Sequence, residues 1–128
     1  MMNHHVSIFR GFLAALVSLS IAVPAWGQVI HEDRKILAND GTEFDWLGYS
    51  IDIDNGIVAM GAIGDDFNGD GAGAAYLFNA TSGNQIVKLL PNDGSAGDSF
   101  GWSIAIDDGL VAVGAYWDDD NGGNSGSA

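Results

Sequence analysis

Cysteine is absent from the 128 residues. That excludes disulfides, thiolate metal sites and a cysteine nucleophile, and leaves stability to burial and hydrogen bonding. Positive charge is nearly absent too, with four Lys and Arg against 17 Asp and Glu. Arg10 precedes Gln28, so the chain from Gln28 onward sets three basic residues (Arg34, Lys35, Lys88) against all 17 acids, a net charge of −14. Phosphate backbones are repelled by such a chain, which argues against a nucleic-acid partner and for cations or basic surfaces. Beyond residue 27 the one histidine is His31. No partner constellation accompanies it, so it reads as a solvated edge residue and not as a general base.

What is present begins with an export signature. Met1 to Arg10 is a polar start with one positive charge, and Phe12 to Val23 is an apolar run broken by Pro24. Ala25-Trp26-Gly27 then puts small residues at the −3 and −1 positions of a cleavage site before Gln28. A run of this length is short for a bilayer span. Residues 1–27 are therefore expected to be a cleaved signal peptide, with the remainder secreted or at the cell surface and not inserted in a membrane.

The rest is a repeat. Leu47 to Ala75 is written again as Phe100 to Ala128, without a gap and with Gly48 falling on Gly101; about half the aligned positions are identical. The register extends back to Lys35–Gly41 over Lys88–Gly94. Inside it, Tyr49, Ile51 and Ile53 alternate with polar residues and predict a half-buried strand with these three toward the core. Trp102, Ile104 and Ile106 hold the same places in the second copy, where Asp52 becomes Ala105 on the other face. Asn55-Gly56 and Asp108-Gly109 are tight-hairpin signals. Ile57–Ala62 and Leu110–Ala115 are apolar on both faces, as strands between neighbouring sheets are. Ala74–Phe78 and Gln85–Leu90 complete four strands per period, and a period of about 50 residues of this kind marks propeller blades. The fold class expected is all-β: β-propeller blades of four antiparallel strands, about one and a half of them. Gln28–Leu37 aligns with the last strand of the repeat and is expected to serve as a closing strand.

Leu47-Gly48…Gly61-Ala62 and Phe100-Gly101…Gly114-Ala115 resemble the FG-GAP repeat of integrin α-subunit propellers and exported bacterial proteins. Leu47 replaces the expected Phe, and Ile63 and Tyr116 stand where Pro is expected. The resemblance implies a partial propeller over 28–128, with one repeat at 35–87 and an incomplete one at 88–128. A propeller usually needs four to eight blades. The chain is accordingly expected to be a fragment of a longer protein, or else an oligomer of partial propellers, and to be unstable alone.

Chemistry has few candidates. Asp66, Asn68, Asp70 and Gly71 fit D-x-[DN]-x-[DN]-G, which sets three side-chain oxygens round a sharp turn for calcium. The ninth and twelfth positions of such a loop are Ala74 and Leu77, so the match is incomplete, and an acidic surface loop is the alternative. Gly69–Ala74 fits G-x-G-x-x-A but opens a strand, not a helix, which excludes dinucleotide binding there. Asn79-Ala80-Thr81 is a formal glycosylation sequon that the turn alone explains. Paired carboxylates (Asp65/Asp66, Asp107/Asp108, Asp118 to Asp120) read as exposed turns in which solvent equalises the two groups, unlike a hydrolase pair. Of Trp46, Trp102 and Trp117, Trp102 falls on a core face and Trp117 is the better exposed contact for a carbohydrate. The function expected is a non-enzymatic binding or adhesion scaffold with a protein or carbohydrate ligand and calcium as its only cofactor. The alternatives are a larger secreted hydrolase or lyase with its catalytic residues elsewhere, and a purely structural surface component.

Overall fold

The computed structural model describes residues 32–128; the predicted signal peptide and Gln28 to His31 lie outside them. Four strands form one antiparallel sheet in chain order: β1 (Ile51–Asp54), β2 (Ile57–Ala62), β3 (Ala74–Asn79) and β4 (Gln85–Leu89). A second sheet pairs β5 (Phe100–Asp107) with β6 (Leu110–Ala115). The hairpin turns are as the dipeptides require. Asn55 and Gly56 take φ of 45° and 78°, and Asp108 and Gly109 take 44° and 80°, the paired positive φ of a turn whose twist matches that of its strands. Ala115 and Ser127 bridge at the register of Ala62 and Ala74 in the first copy, so the repeat holds in three dimensions to the last residues.

The two faces of the four-stranded sheet have separate tasks. One carries Val58 opposite Phe78 and Met60 opposite Tyr76; Val58, Tyr76 and Phe78 form the core with Ala62 and Ala74, and Met60, Ile36, Leu47 and Leu90 pack against it. Tyr76 and Phe78 are the large side chains buried completely. Glu32 to Leu37, the described part of the expected closing strand, runs without a strand ladder. It is held by Ile36 on the core and by the Arg34 guanidinium donating to the Ser82 carbonyl.

The opposite face, with Ala59, Gly61 and Ala75, meets the second repeat. A Cβ on Gly61 would stand 2.0 Å from the Gly101 carbonyl oxygen, so the two backbones touch where only glycine fits. Ser50 Oγ donates to that same oxygen at 2.7 Å. Asp52 Oδ2 accepts from Ile106 N at 2.9 Å, and Asp54 Oδ2 accepts from Asp108 N at 2.9 Å. Alongside, Gly97, Ser99 and Phe100 N donate to the Asp70, Gly71 and Ala72 carbonyls.

This arrangement corrects the expected core. Tyr49, Ile51 and Ile53 do share a face, but Ile51 and Ile53 are each 61% exposed, whereas Ile106, the counterpart of Ile53, is 8% exposed. The reason is the direction of stacking: a repeat offers its small residues and carboxylates to the next one, and its isoleucines to the one before. Full burial of such a side chain is worth about 1.5–3 kcal/mol, which Ile106 contributes and Ile53 does not. The polar positions of β1 are the interface, so Asp52 lies on a contact surface, whereas its counterpart Ala105 is exposed.

Candidate functional site

The sequence reading puts Asp65 and Asp118 on exposed turns; the structure buries both, together with Asp45 and Asp98. Each caps its own loop. Asp65 Oδ1 accepts from Phe67 N at 3.1 Å, and its copy Asp118 accepts from Asp120 N at 3.0 Å. Asp45 takes the amide and hydroxyl of Thr42, and Asp98 takes the amide of Ser95. Loops of this length leave N–H groups that the ladder cannot reach, and a buried acceptor must supply them.

Round Asp65 the first repeat builds a charged cluster that sequence reasoning missed. Lys88 Nζ lies 2.7 Å from Asp65 and 2.8 Å from Asp40. The Tyr76 hydroxyl donates to Asp65 at 2.8 Å and reaches Asp40 at 3.1 Å. The Lys88 ammonium also sits 5.0 Å from the Phe67 ring centre and 5.3 Å from that of Tyr76. Burial pulls the ammonium down, but its bonds to Asp40, Asp65 and Tyr76 outweigh this and hold it above the ordinary lysine value. Burial, reinforced by Asp65, holds the Tyr76 phenol up as well. The Lys88 contact keeps the Asp40 carboxyl below its usual range. These groups are moved away from neutral pH, opposite to what acid–base catalysis uses. The available signal was faint: Lys88 is one of three basic residues after Gln28, set in a strand. In the second copy Asp93 and Asp118 recur, and Asp120 replaces Phe67. The charge of Asp118, then that of Asp93, pushes the Asp120 carboxyl up.

The calcium candidates are placed as follows. Asp66 Oδ1 accepts from Gly71 N at 2.8 Å. Asn68 turns its amide nitrogen to the Pro91 carbonyl at 3.1 Å. Asp70 is exposed, and its carbonyl accepts from Gly97 N. Ala74 and Leu77 lie in β3, so a closing bidentate acid is missing. Among the described residues, no three His, Cys, Asp or Glu side chains converge as a metal site would need. The donor set does not make an EF-hand-type cage, and the loop is closed by its own hydrogen bonds.

A different grouping stands out on the surface. Tyr49, Trp102, Tyr116 and Trp117 follow one another with ring centres 5.0, 5.1 and 4.9 Å apart. Trp102 is therefore no core residue; it is half-buried between Tyr49 and Tyr116, while Tyr49, Tyr116 and Trp117 are exposed. Trp117 has the exposure expected of it, and Trp46 stands apart, exposed in the loop before β1. Contacts of this spacing favour offset and edge-to-face rings, so the run is a stiff apolar ridge with polar edges. Sequence alone pairs Tyr49 with Trp102 by repeat but cannot bring in Tyr116 and Trp117, whose counterparts are Ile63 and Gly64.

A four-stranded antiparallel sheet stacked face to face on its own repeat is the unit of a β-propeller. The FG-GAP repeat family matches residues 30–78 and 84–128. The chain belongs to that family. Neither a curated protein nor a solved structure gave a match. FG-GAP repeats of this architecture form propeller-type binding scaffolds.

Proposed function

We propose that this protein is an exported binding or adhesion scaffold that meets carbohydrate on the ridge of Tyr49, Trp102, Tyr116 and Trp117. The observation that carries the reading is the ridge itself: four contiguous aromatic rings, three of them exposed. Exposed apolar groups in contact mark interaction sites, and Trp and Tyr dominate binding hot spots because they bring large rigid area with polar edges. Sugar rings offer apolar C–H faces that lie flat on such rings, while their hydroxyls stay in water. The net charge disfavours acidic glycans, so neutral polysaccharides are the class proposed. No catalytic role is assigned to any residue of the chain.

Export rests on the signal-like pattern of residues 1–27. Among the described residues no helix is long and apolar enough to cross a membrane. Calcium stays in the proposal at Asp66, Asn68 and Asp70 as a weak surface ligand, because Asp66 and Asp70 are exposed carboxylates on one loop.

The test is binding of the full chain to a panel of neutral and acidic polysaccharides, with and without calcium. Neutral glycans should be retained, and Trp117→Ala should weaken retention about tenfold or more, the loss of one hot-spot ring. Retention unchanged in Trp117→Ala and Tyr116→Ala would remove the ridge as the site. Release of reducing ends during incubation would replace the scaffold with a hydrolase.

A further inference from the structure

We infer that the exposed Tyr49–Ile51–Ile53 face is a docking surface for a second copy of this chain, which seats the outer face of its β5–β6 hairpin there. The template is the contact already made inside the chain. One side of that contact is Ser50, Asp52, Asp54 and Gly61 of the first repeat; the other is Gly101, Trp102, Ile106 and Asp108 of the second. The repeat writes both sides twice. So the described residues also carry a second copy of each, unpartnered among themselves: Ser103, Ala105, Asp107 and Gly114 on β5–β6, and Gly48, Tyr49, Ile53 and Asn55 in and beside β1.

These copies keep the shape that the contact needs. Gly48 has φ of 92°, matching 95° at Gly101. A Cβ on Gly101 would meet the Ala74 carbonyl at 2.5 Å, whereas a Cβ on Gly48 would meet nothing within 4 Å among the described residues. On the other side Gly114 has ordinary strand φ, and a Cβ there would meet closely only the Ser103 hydroxyl, at 2.5 Å. The same hydroxyl position crowds Gly61, which additionally has the Gly101 backbone against it. The chain thus keeps glycine at 114, where its own fold presses no backbone on it but a docked repeat would.

The polar contacts also carry over. By register, Ser103 of the second copy replaces Ser50 and donates to the Gly48 carbonyl, and its Asp107 replaces Asp54 and accepts from Asn55 N. Its Ala105 lacks the carboxylate of Asp52, which in the chain accepts from Ile106 N. The counterpart of that donor, Ile53 N, already donates to its own Asp52 Oδ1 at 2.9 Å, so docking strands no N–H. Trp102 of the second copy would stack on Tyr49 as Tyr49 stacks on Trp102 within the chain, lengthening the aromatic ridge. The two surfaces differ, so the contact is head-to-tail and propagates to a ring or an open filament.

The experiment measures mass against concentration for the full chain, expressed with its N-terminal segment, by sedimentation. Oligomers are expected. Ile53→Lys should weaken association about 100-fold, since it exchanges a buried isoleucine for a charge. Ile86→Lys, also exposed but on β4, should leave association unchanged. Because the chain has no cysteine, Ile53→Cys and Ala105→Cys chains can be mixed, and a disulfide dimer should form only in the mixture. A monomer at every concentration would overturn the inference, as would oligomers indifferent to Ile53→Lys. So would a larger polypeptide in the source that buries Ile53 under further repeats of its own.

Discussion

Lys88 offers the sharpest test of how this fold handles its acidity. Lys88→Met keeps the apolar stem against Phe67 and Tyr76 and removes one charge. Asp65, whose side chain is 4% exposed, then keeps only the Phe67 amide and the Tyr76 hydroxyl. Losing one partner of a buried ion pair costs about 3–5 kcal/mol. The Asp40 arm of the pair is 46% exposed and adds little, because water screens it. The expected loss at pH 7 is therefore about 3–5 kcal/mol. Asp65→Asn in the Lys88→Met background should recover part of it. Urea unfolding followed by tryptophan fluorescence and far-UV dichroism reads all three chains. A deficit below about 1 kcal/mol would show Lys88 to be an ordinary solvated surface ion and refute the reasoning.

Two further outcomes follow from the same geometry. Gly61→Ala drives a Cβ to within 2.0 Å of the Gly101 carbonyl oxygen and should cost about 1–3 kcal/mol or more by parting the repeats; Gly114→Ala should cost well under 1 kcal/mol in a dilute sample, and equal costs in urea titrations would contradict the stacking direction. The pH profile should be a plateau with two edges. Asp40, Asp52 and Asp118 are held low, by Lys88, by the Ile106 amide and by the Ser127 hydroxyl respectively. Their stabilisation is present above about pH 4 and lost as pH falls below it. Lys88 and Tyr76 are held up, so theirs is present below about pH 10 and lost as pH rises further. Dichroism across the range checks this, and unfolding already between pH 6 and 9 would count against it.

Sequence alone determined the unit and its internal wiring. Hairpin dipeptides, strand alternation and the repeat register are local or periodic signals, so β1 to β6 and their order could be read from Leu47 to Ala115 directly. Stacking of one repeat on the next was also legible, from the two-sided apolar strands. Tertiary structure alone decided which face of β1 meets which neighbour. Alternation says that Ile51 and Ile53 share a side and Asp52 and Asp54 the other, but not that the carboxylates face the following repeat while the isoleucines await a preceding one. It also decided the fate of the acids. Asp65 and Asp66 are adjacent and chemically identical, yet one is buried against Lys88 and Tyr76 and the other is exposed. That difference comes from contacts 11 and 23 positions away in the chain, which no local pattern records. The aromatic ridge is also tertiary: the stacking of the two repeats brings Tyr49 to Trp102, and the pairing of β5 with β6 inside the second repeat brings Tyr116 to it.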